Sequence, residues 1–376
     1  MDRSKLIKLI IIIAVNALCL IAFFICLGIS YSIRSPLRSQ QAAKAWAGQS
    51  GERFAQLSVF FPEGSGMDMD GIRGLRHSLD QALLAASLES DENRTLYTDA
   101  WSAEVDVSIL SERIRGNPSS AKAIAVGGEF FMFHPFNLRD GSYLSPNDVM
   151  KDRIVIDEEL AWRLFGAIRV AGFEVLINNK TFIIAGVISR ENDFASSKAY
   201  DYGDGLFISY DALVDMTNGE AKIKTYEIVL LDPLTGFALD TLTGKIENES
   251  AHIVENNTRF SIGKLFSIIG SFGERSMRKD AIKYPYWENA ARYAEDHLAF
   301  LLILSLIFIA FPIVCAVIYA VILIRIGVKH GKQYVKKLIA KKDKREYEKY
   351  VLTHGIDGEA SYNVNDIIRE VQDEIY

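Results

Sequence analysis

LIIIIAVNALCLIAFFICLGISYSI, residues 9–33, holds no charged side chain between Lys8 and Arg34. Coiled as an α-helix at 1.5 Å per residue it is about 38 Å long, more than the ~30 Å hydrocarbon core of a bilayer. Only a helix or a closed barrel satisfies its own backbone in lipid, so the run reads as a membrane span. A cleaved signal peptide shares the charged start seen here in Arg3, Lys5 and Lys8. The apolar stretch outruns a signal core of about 7–15 residues, and the small-residue cleavage pattern is weak near its end, so a retained helix is the expectation. A second run, LAFLLILSLIFIAFPIVCAVIYAVILI (298–324), is also free of charge and apolar on every side. Pro312 sits inside it, which membrane helices tolerate better than soluble ones.

Working outward from these runs, the basic residues set the orientation. Arg3, Lys5 and Lys8 precede the first run, and nine Lys and Arg residues crowd 325–345 after the second. Both ends are therefore predicted to be cytoplasmic. This divides the chain into a cytoplasmic start (1–8), a span (9–33), an extracytoplasmic domain (34–296), a second span (298–324) and a cytoplasmic tail (325–376). Of the formal net charge of −6, residues 1–33 contribute +2, residues 325–345 +8 and residues 346–376 −6, which leaves −10 for residues 34–324. An outer domain that acidic argues against binding nucleic acid or other anionic polymers. The chain's three cysteines, Cys19, Cys26 and Cys315, all fall inside the spans, so the outer domain is expected to fold without disulfides. Lys329, Lys332, Lys336 and Lys337 in the basic stretch suit contact with anionic lipid, or a docking surface for a cytoplasmic partner.

Periodicity outlines the outer domain. Ser39–Gln49 reads as a short helical stalk leaving the membrane, and FAQLSVFF (54–61) as a strand. Asp70 opens a helical run with Ile72, Leu75, Leu79 and Leu83 on one side, and Tyr97–Leu110 reads as a second strand. Strands follow at 121–126, 153–156, 172–177, 181–188, 205–209 and 224–231, with a closing strand at 259–264. Asp157 suits the cap of a helix over 158–165 that ends at Gly166, and Asn178-Asn179-Lys180 suits a hairpin turn. Asp211 suits the cap of another short helix, and a further helix is expected over 237–246. Trp287–Ala299 is predicted to run as a helix straight into the second span. Beyond the basic stretch, Asn365 or Asp366 is placed to cap an amphipathic segment carrying Ile367, Ile368, Val371 and Ile375.

No chemistry-bearing motif stands out. There is no phosphate-cradling G-x-x-x-x-G-K-[ST] and no H-E-x-x-H, no G-x-S-x-G elbow, and the six histidines have no metal-ligand spacing. No cofactor, no metal and no catalytic activity are expected. Phe130, Phe131, Phe133 and Phe136 form an aromatic cluster with two readings: core packing of a small helix, or an exposed surface for a partner or apolar ligand.

Three segments carry a family resemblance: LRDGSYLSPNDV (138–149), IVIDEELAWRLFG (154–166) and FIIAGVI (182–188). In order and spacing they resemble the periplasmic core domain of MacB-type ABC transporter permeases, over about residues 1–300. The resemblance implies an α+β outer domain between two transmembrane helices. A porter-like β-α-β lobe would take about 54–120 and 223–285, and a mostly-β lobe about 121–222 would be inserted in it. Family members couple ATP hydrolysis inside to motion outside through stiff stalks. Typical members have four spans, whereas two are read here, and no ATPase domain is read. The resemblance therefore implies a separate ABC ATPase subunit and other permease chains as partners, and assembly with copies of itself or with different chains. The expected function is a non-catalytic membrane subunit of an ABC-type export or mechanotransmission complex. The rival expectation is an extracellular ligand-binding sensor or receptor without its own catalytic domain.

Overall fold

A computed structural model describes residues 3–90, 95–111, 119–200, 205–271, 278–279 and 282–354. The amphipathic segment expected near Asn365 and Asp366 lies outside the described residues. By internal contacts the chain forms two units, residues 22–306 and residues 1–21 with 307–376.

The second of these holds the outer lengths of two long helices. α1 covers Arg3–Arg34 and α10 covers Tyr286–His354. Both are long and apolar enough to cross a membrane. Ile10, Ile13, Ile318 and Ile324 are exposed along them, as suits side chains that meet lipid. Lys329, Lys332, Lys336 and Lys337 are exposed on the length of α10 that follows the apolar run.

Residues 22–306 form the folded domain. Its elements after α1 are α2 (Ala42–Ala47), β1 (Phe54–Phe60), α3 (Met69–Ala85) and β2 (Tyr97–Leu110). Then come β3 (Ser119–Gly128), α4 (Phe130–Phe133), β4 (Asn137–Gly141), β5 (Arg153–Asp157) and α5 (Glu158–Phe165). β6 (Glu174–Ile177), β7 (Lys180–Ser189), α6 (Ser196–Ala199), β8 (Gly205–Ser209) and α7 (Tyr210–Met216) follow. The domain ends with β9 (Thr225–Leu231), α8 (Phe237–Thr243), β10 (His252–Glu255), α9 (Ile262–Gly270), the short pair β11 (Arg278–Lys279) and β12 (Ile282–Lys283), and the start of α10.

Two lobes share one sheet. β10, β1, β9 and β2 lie side by side, with β1 antiparallel to β10 and β9, and β2 antiparallel to β9. β1 and β2 are thus parallel and separated by β9, so β1-α3-β2 and β9-α8-β10 are two interlocked split β-α-β units. Leu57, Val59 and Phe61 join Ile72, Leu75, Leu79 and Leu83 of α3 in the main core. The second lobe is a closed ring of six strands, β2-β3-β8-β5-β7-β6, in which β6 pairs with both β7 and β2. β2 belongs to both lobes: Tyr97–Ser102 pair with β9, and Ile109 and Leu110 pair with β6. All seven residues of β1 are buried, which means that both faces of the first sheet are covered.

The strongest local signals in the sequence hold in the structure. Asp157 caps α5 by accepting from Leu160 N at 2.7 Å, and Gly166 closes it in the left-handed region, φ 65°. Asn178 and Asn179, both at positive φ (46° and 66°), turn β6 into β7, with Lys180 already in the strand. The resembling segments LRDGSYL and FIIAGVI meet where β4 pairs β7. There a Cβ on Gly141 would lie 2.0 Å from Ala185 O, and one on Gly186 would lie 2.3 Å from Ser142 O. These glycines let two backbones touch, so the motif is a folding device.

Four expectations need correction. Asp68, not Asp70, caps α3, accepting from Gly71 N at 2.9 Å, because its extended backbone suits a cap. Ser209, not Asp211, caps α7 through Ala212 N. The stretch 39–49 is not a free stalk: Ala42 and Ala43 of α2 are buried in the core, and Gln56 of β1 holds the Ala42 N–H at 2.9 Å. Residues 259–264 are not a strand. The strand ends at Glu255, and Arg259 leaves the sheet for partners on α10.

Candidate functional site

The face of the first sheet opposite α3, which meets α2 and the start of α10, carries a dense cluster of buried polar groups. On β1 the inward alternation places Gln56 and Ser58 there, and on β9 it places Glu227. All three are buried. A buried polar group is costly unless bonded, and each of these has a partner. Gln56 Nε2 donates to Ser39 O at 2.6 Å, in the turn just beyond α1. Ser58 Oγ donates to Glu227 Oε1 at 3.2 Å, and Glu227 Oε2 meets His134 Nε2 at 2.5 Å with both side chains 2% exposed. His134 stacks on Phe130 and lies 4.4 Å from the Trp287 ring of α10.

Arg259 is the centre of this junction. Its Nη1 and Nη2 donate to the two carboxylate oxygens of Glu288 at 2.8 and 2.9 Å, and its Nε donates to Glu295 Oε1 at 2.7 Å. Nη1 also donates to Gln40 Oε1 at 2.7 Å. That bond sets the orientation of the Gln40 amide and makes Asn256 Nδ2 a second donor to the same oxygen, at 2.7 Å. Arg259 is 3% exposed and Glu288 2%. Burial alone lowers the Arg259 pKa, but the charges and hydrogen bonds of Glu288 and Glu295 outweigh it and raise the value. The group is a permanent buried cation clamping residues next to α1 and residues of α10 onto the sheet. Asn256 is itself buried.

A correction concerns the phenylalanine cluster. Phe130, Phe133 and Phe136 are buried and Phe131 is half-buried, so these rings are not an exposed surface. Phe130 packs edge-on to Trp287 at 5.8 Å, and Phe131 and Phe136 pack on Phe207 of β8. The cluster seals the barrel against α10.

On the opposite, helix-bearing face an open cleft of about 600 Å³ is lined by Arg76, Tyr97, Trp101, Gly127, Phe131 and Tyr210 among others. Asp99 at its floor accepts from Arg76 Nε and Nη2 at 2.8 and 2.6 Å and from Tyr226 OH at 3.0 Å. Burial pushes the Tyr210 hydroxyl up to about 12, and pushes Tyr97 and Tyr226 up as well. These tyrosines are neutral donors at physiological pH. Among the described residues no three His, Cys, Asp or Glu side chains converge on a metal-sized point.

Glu191, two residues beyond β7, is a half-buried carboxyl group. Tyr200 OH donates to its Oε2 at 3.2 Å, and the Tyr200 ring stacks on Tyr286 at 4.2 Å. Burial raises its pKa above the usual 4.5; Asp193 adds to the rise, and His134 with the Tyr200 and Tyr286 hydroxyls opposes it. With a raised native pKa, the unfolded chain releases this proton first. Stability is therefore lost as pH climbs from the ordinary carboxyl value through the native one. Glu191→Gln is expected to raise the melting temperature at pH 7 and to lose that advantage near pH 4, a pair of thermal melts being the check.

The fold and its helices define an α+β domain between two helices long and apolar enough to cross a membrane. The family model described as MacB-like periplasmic core domain matches residues 7–236, more than half of the chain, and the chain belongs to that family. Three solved structures are similar to it. The periplasmic region of MacB from Actinobacillus actinomycetemcomitans is 16% identical, with TM-score 0.39, over 59% of this chain and 94% of that one. The extracellular domain of the noncanonic ABC-type transporter YknZ from Gram-positive bacteria is 12% identical, with TM-score 0.37, over 53% and 100%. A domain of a putative permease protein from Porphyromonas gingivalis is 14% identical, with TM-score 0.31, over 54% and 88%. No curated protein matches the chain. The family and the two apolar helices fit a two-pass plasma-membrane protein.

Proposed function

We propose that this chain is a non-catalytic subunit of an ABC-type export or mechanotransmission complex, relaying motion between the cytoplasmic side and an extracytoplasmic domain. The observation that carries the reading is the Arg259 junction. Gln40 follows α1 by six positions, Glu288 and Glu295 belong to α10, and one guanidinium holds all three. A buried, multiply bonded clamp of this kind resists shear, so a displacement at either helix root is passed to the sheet. In this reading both termini are cytoplasmic, following the basic residues. The lysine-rich face with Lys329, Lys332, Lys336 and Lys337 then meets anionic lipid or an ATPase supplied by another chain, with further permease chains completing the assembly. The porter-like lobe takes about 54–120 and 223–285, and the inserted lobe 121–222.

Mild detergent extraction of the full chain from its native membrane tests this. An ATP-hydrolysing subunit is expected to co-elute at fixed stoichiometry. A chain that elutes alone, with no ATPase activity in its fraction, overturns the proposal. The cleft at Arg76 and Trp101 favours a second reading, an extracellular sensor. For that reading a small polar ligand filling the cleft would raise the melting temperature of the purified chain, since binding to the native state alone stabilises it.

A further inference from the structure

α9, IGKLFSIIG, is mostly apolar, yet Leu265 is its one buried residue. Ile262 and Phe266 are 65% and 48% exposed. Ile269, half-buried, continues their face at the i, i+4, i+7 spacing of one helix stripe. Lys264, the sole charge, lies two positions from both Ile262 and Phe266 and so projects on the opposite side. A contiguous apolar stripe left outside a folded domain marks a surface that meets something other than water.

The path of the chain says what it meets. β10 begins beside the top of α10: His252 Nδ1 meets the hydroxyl of Tyr284, two residues before that helix starts, at 2.9 Å. Seven residues later Arg259 is bonded to Glu288 and then to Glu295. Between 252 and 259 the chain thus descends along α10 toward Leu298, where the uncharged run begins. Glu295 stands three residues above Leu298, about 4.5 Å of helix. α9 opens three residues after Arg259. A headgroup layer is roughly 5–8 Å deep on each side of the hydrocarbon, and α9 opens within about 10 Å of chain from the residue bonded at that level. A short amphipathic helix with one lysine and large apolar side chains is a chemistry that lies in such a layer.

We propose that α9 lies flat in the headgroup layer of the bilayer face from which the folded domain rises, with Ile262, Phe266 and Ile269 against the upper acyl carbons. The partner of this surface is lipid. The helix would hold the domain at a fixed height and tilt, in addition to the two long helices.

The test uses the full chain with Cys19, Cys26 and Cys315 replaced by serine. Ile262→Cys, Phe266→Cys and, as a control in water, Leu234→Cys are each labelled with a nitroxide and reconstituted in phosphatidylcholine–phosphatidylglycerol vesicles. Leu234 is 75% exposed in the loop before α8. Labels at 262 and 266 are expected to collide with oxygen more, and with a water-soluble nickel chelate less, than the label at 234. Equal nickel access at all three sites overturns the proposal by placing α9 in open water. Dipolar broadening between labels at 266 overturns it too, by showing a second copy on the face. Tryptophan-monitored melting of each variant confirms that it is folded, and either of positions 262 and 266 suffices if the other variant does not fold.

Discussion

Arg259→Met is expected to lower the unfolding free energy of the folded domain by about 3–5 kcal/mol, the cost of removing one partner from a buried ionic cluster. Glu288 would be left 2% exposed without the cation that donates to both its oxygens, and Glu295 and Gln40 would each lose a bond of 2.7 Å. Arg259→Lys should recover only part of the loss. A single ammonium cannot reproduce a fork that reaches two carboxylates and an amide at once. Combining Arg259→Met with Glu288→Gln and Glu295→Gln should recover more than the single changes would suggest, because the costly species is the unpaired charge. Denaturant titration of the purified chain, read by tryptophan fluorescence, measures each term. A loss for Arg259→Met below about 1 kcal/mol, the size of an ordinary substitution, would contradict the account of the junction.

Gly141→Ala is the second large effect. The residue sits at φ +69°, with Ala185 O 2.0 Å and Gly186 Cα 2.9 Å from where a Cβ would stand. Both neighbours are backbone, so neither can swing away. Left-handed strain of about 1–3 kcal/mol adds to an overpacking term of about 1–3 kcal/mol. Gly64→Ala is the matched control: φ is +81° and nothing lies within 4 Å of its missing Cβ, so only the backbone term applies. Thermal melts of the two variants should differ by the overlap alone. Equal losses would mean that β4 and β7 separate easily at this point.

What was legible in the sequence was what short-range chemistry decides. Two uncharged runs announced their helices. Asp157 and Gly166 framed α5, and Asn178-Asn179 made a hairpin turn with both residues at positive φ, which asparagine tolerates. The junction was not legible. Arg259 lies in a stretch that alternates like a strand, and its partners stand 29, 36 and 219 positions away. No local pattern announces that a guanidinium will be buried. The caps at Asp68 and Ser209 were missed in favour of Asp70 and Asp211, because two eligible residues stood within reach of each helix start and backbone geometry chose between them. Closure of the barrel rests on two residue pairs, Ile109 with Ile177 and Leu110 with Leu176, a register that only the folded chain displays.

The fourteen-residue strand β2 has a bearing on how such a molecule can be altered. One end completes an open four-stranded layer, and the other end is a stave of a closed ring. No pair of cuts can remove the ring as a cassette and leave the layer's edge intact, since the same peptide bonds run through both. Any chimera that exchanges one lobe with a relative must therefore carry its seam inside this strand, where each residue is already hydrogen-bonded to a neighbour that the exchange would replace.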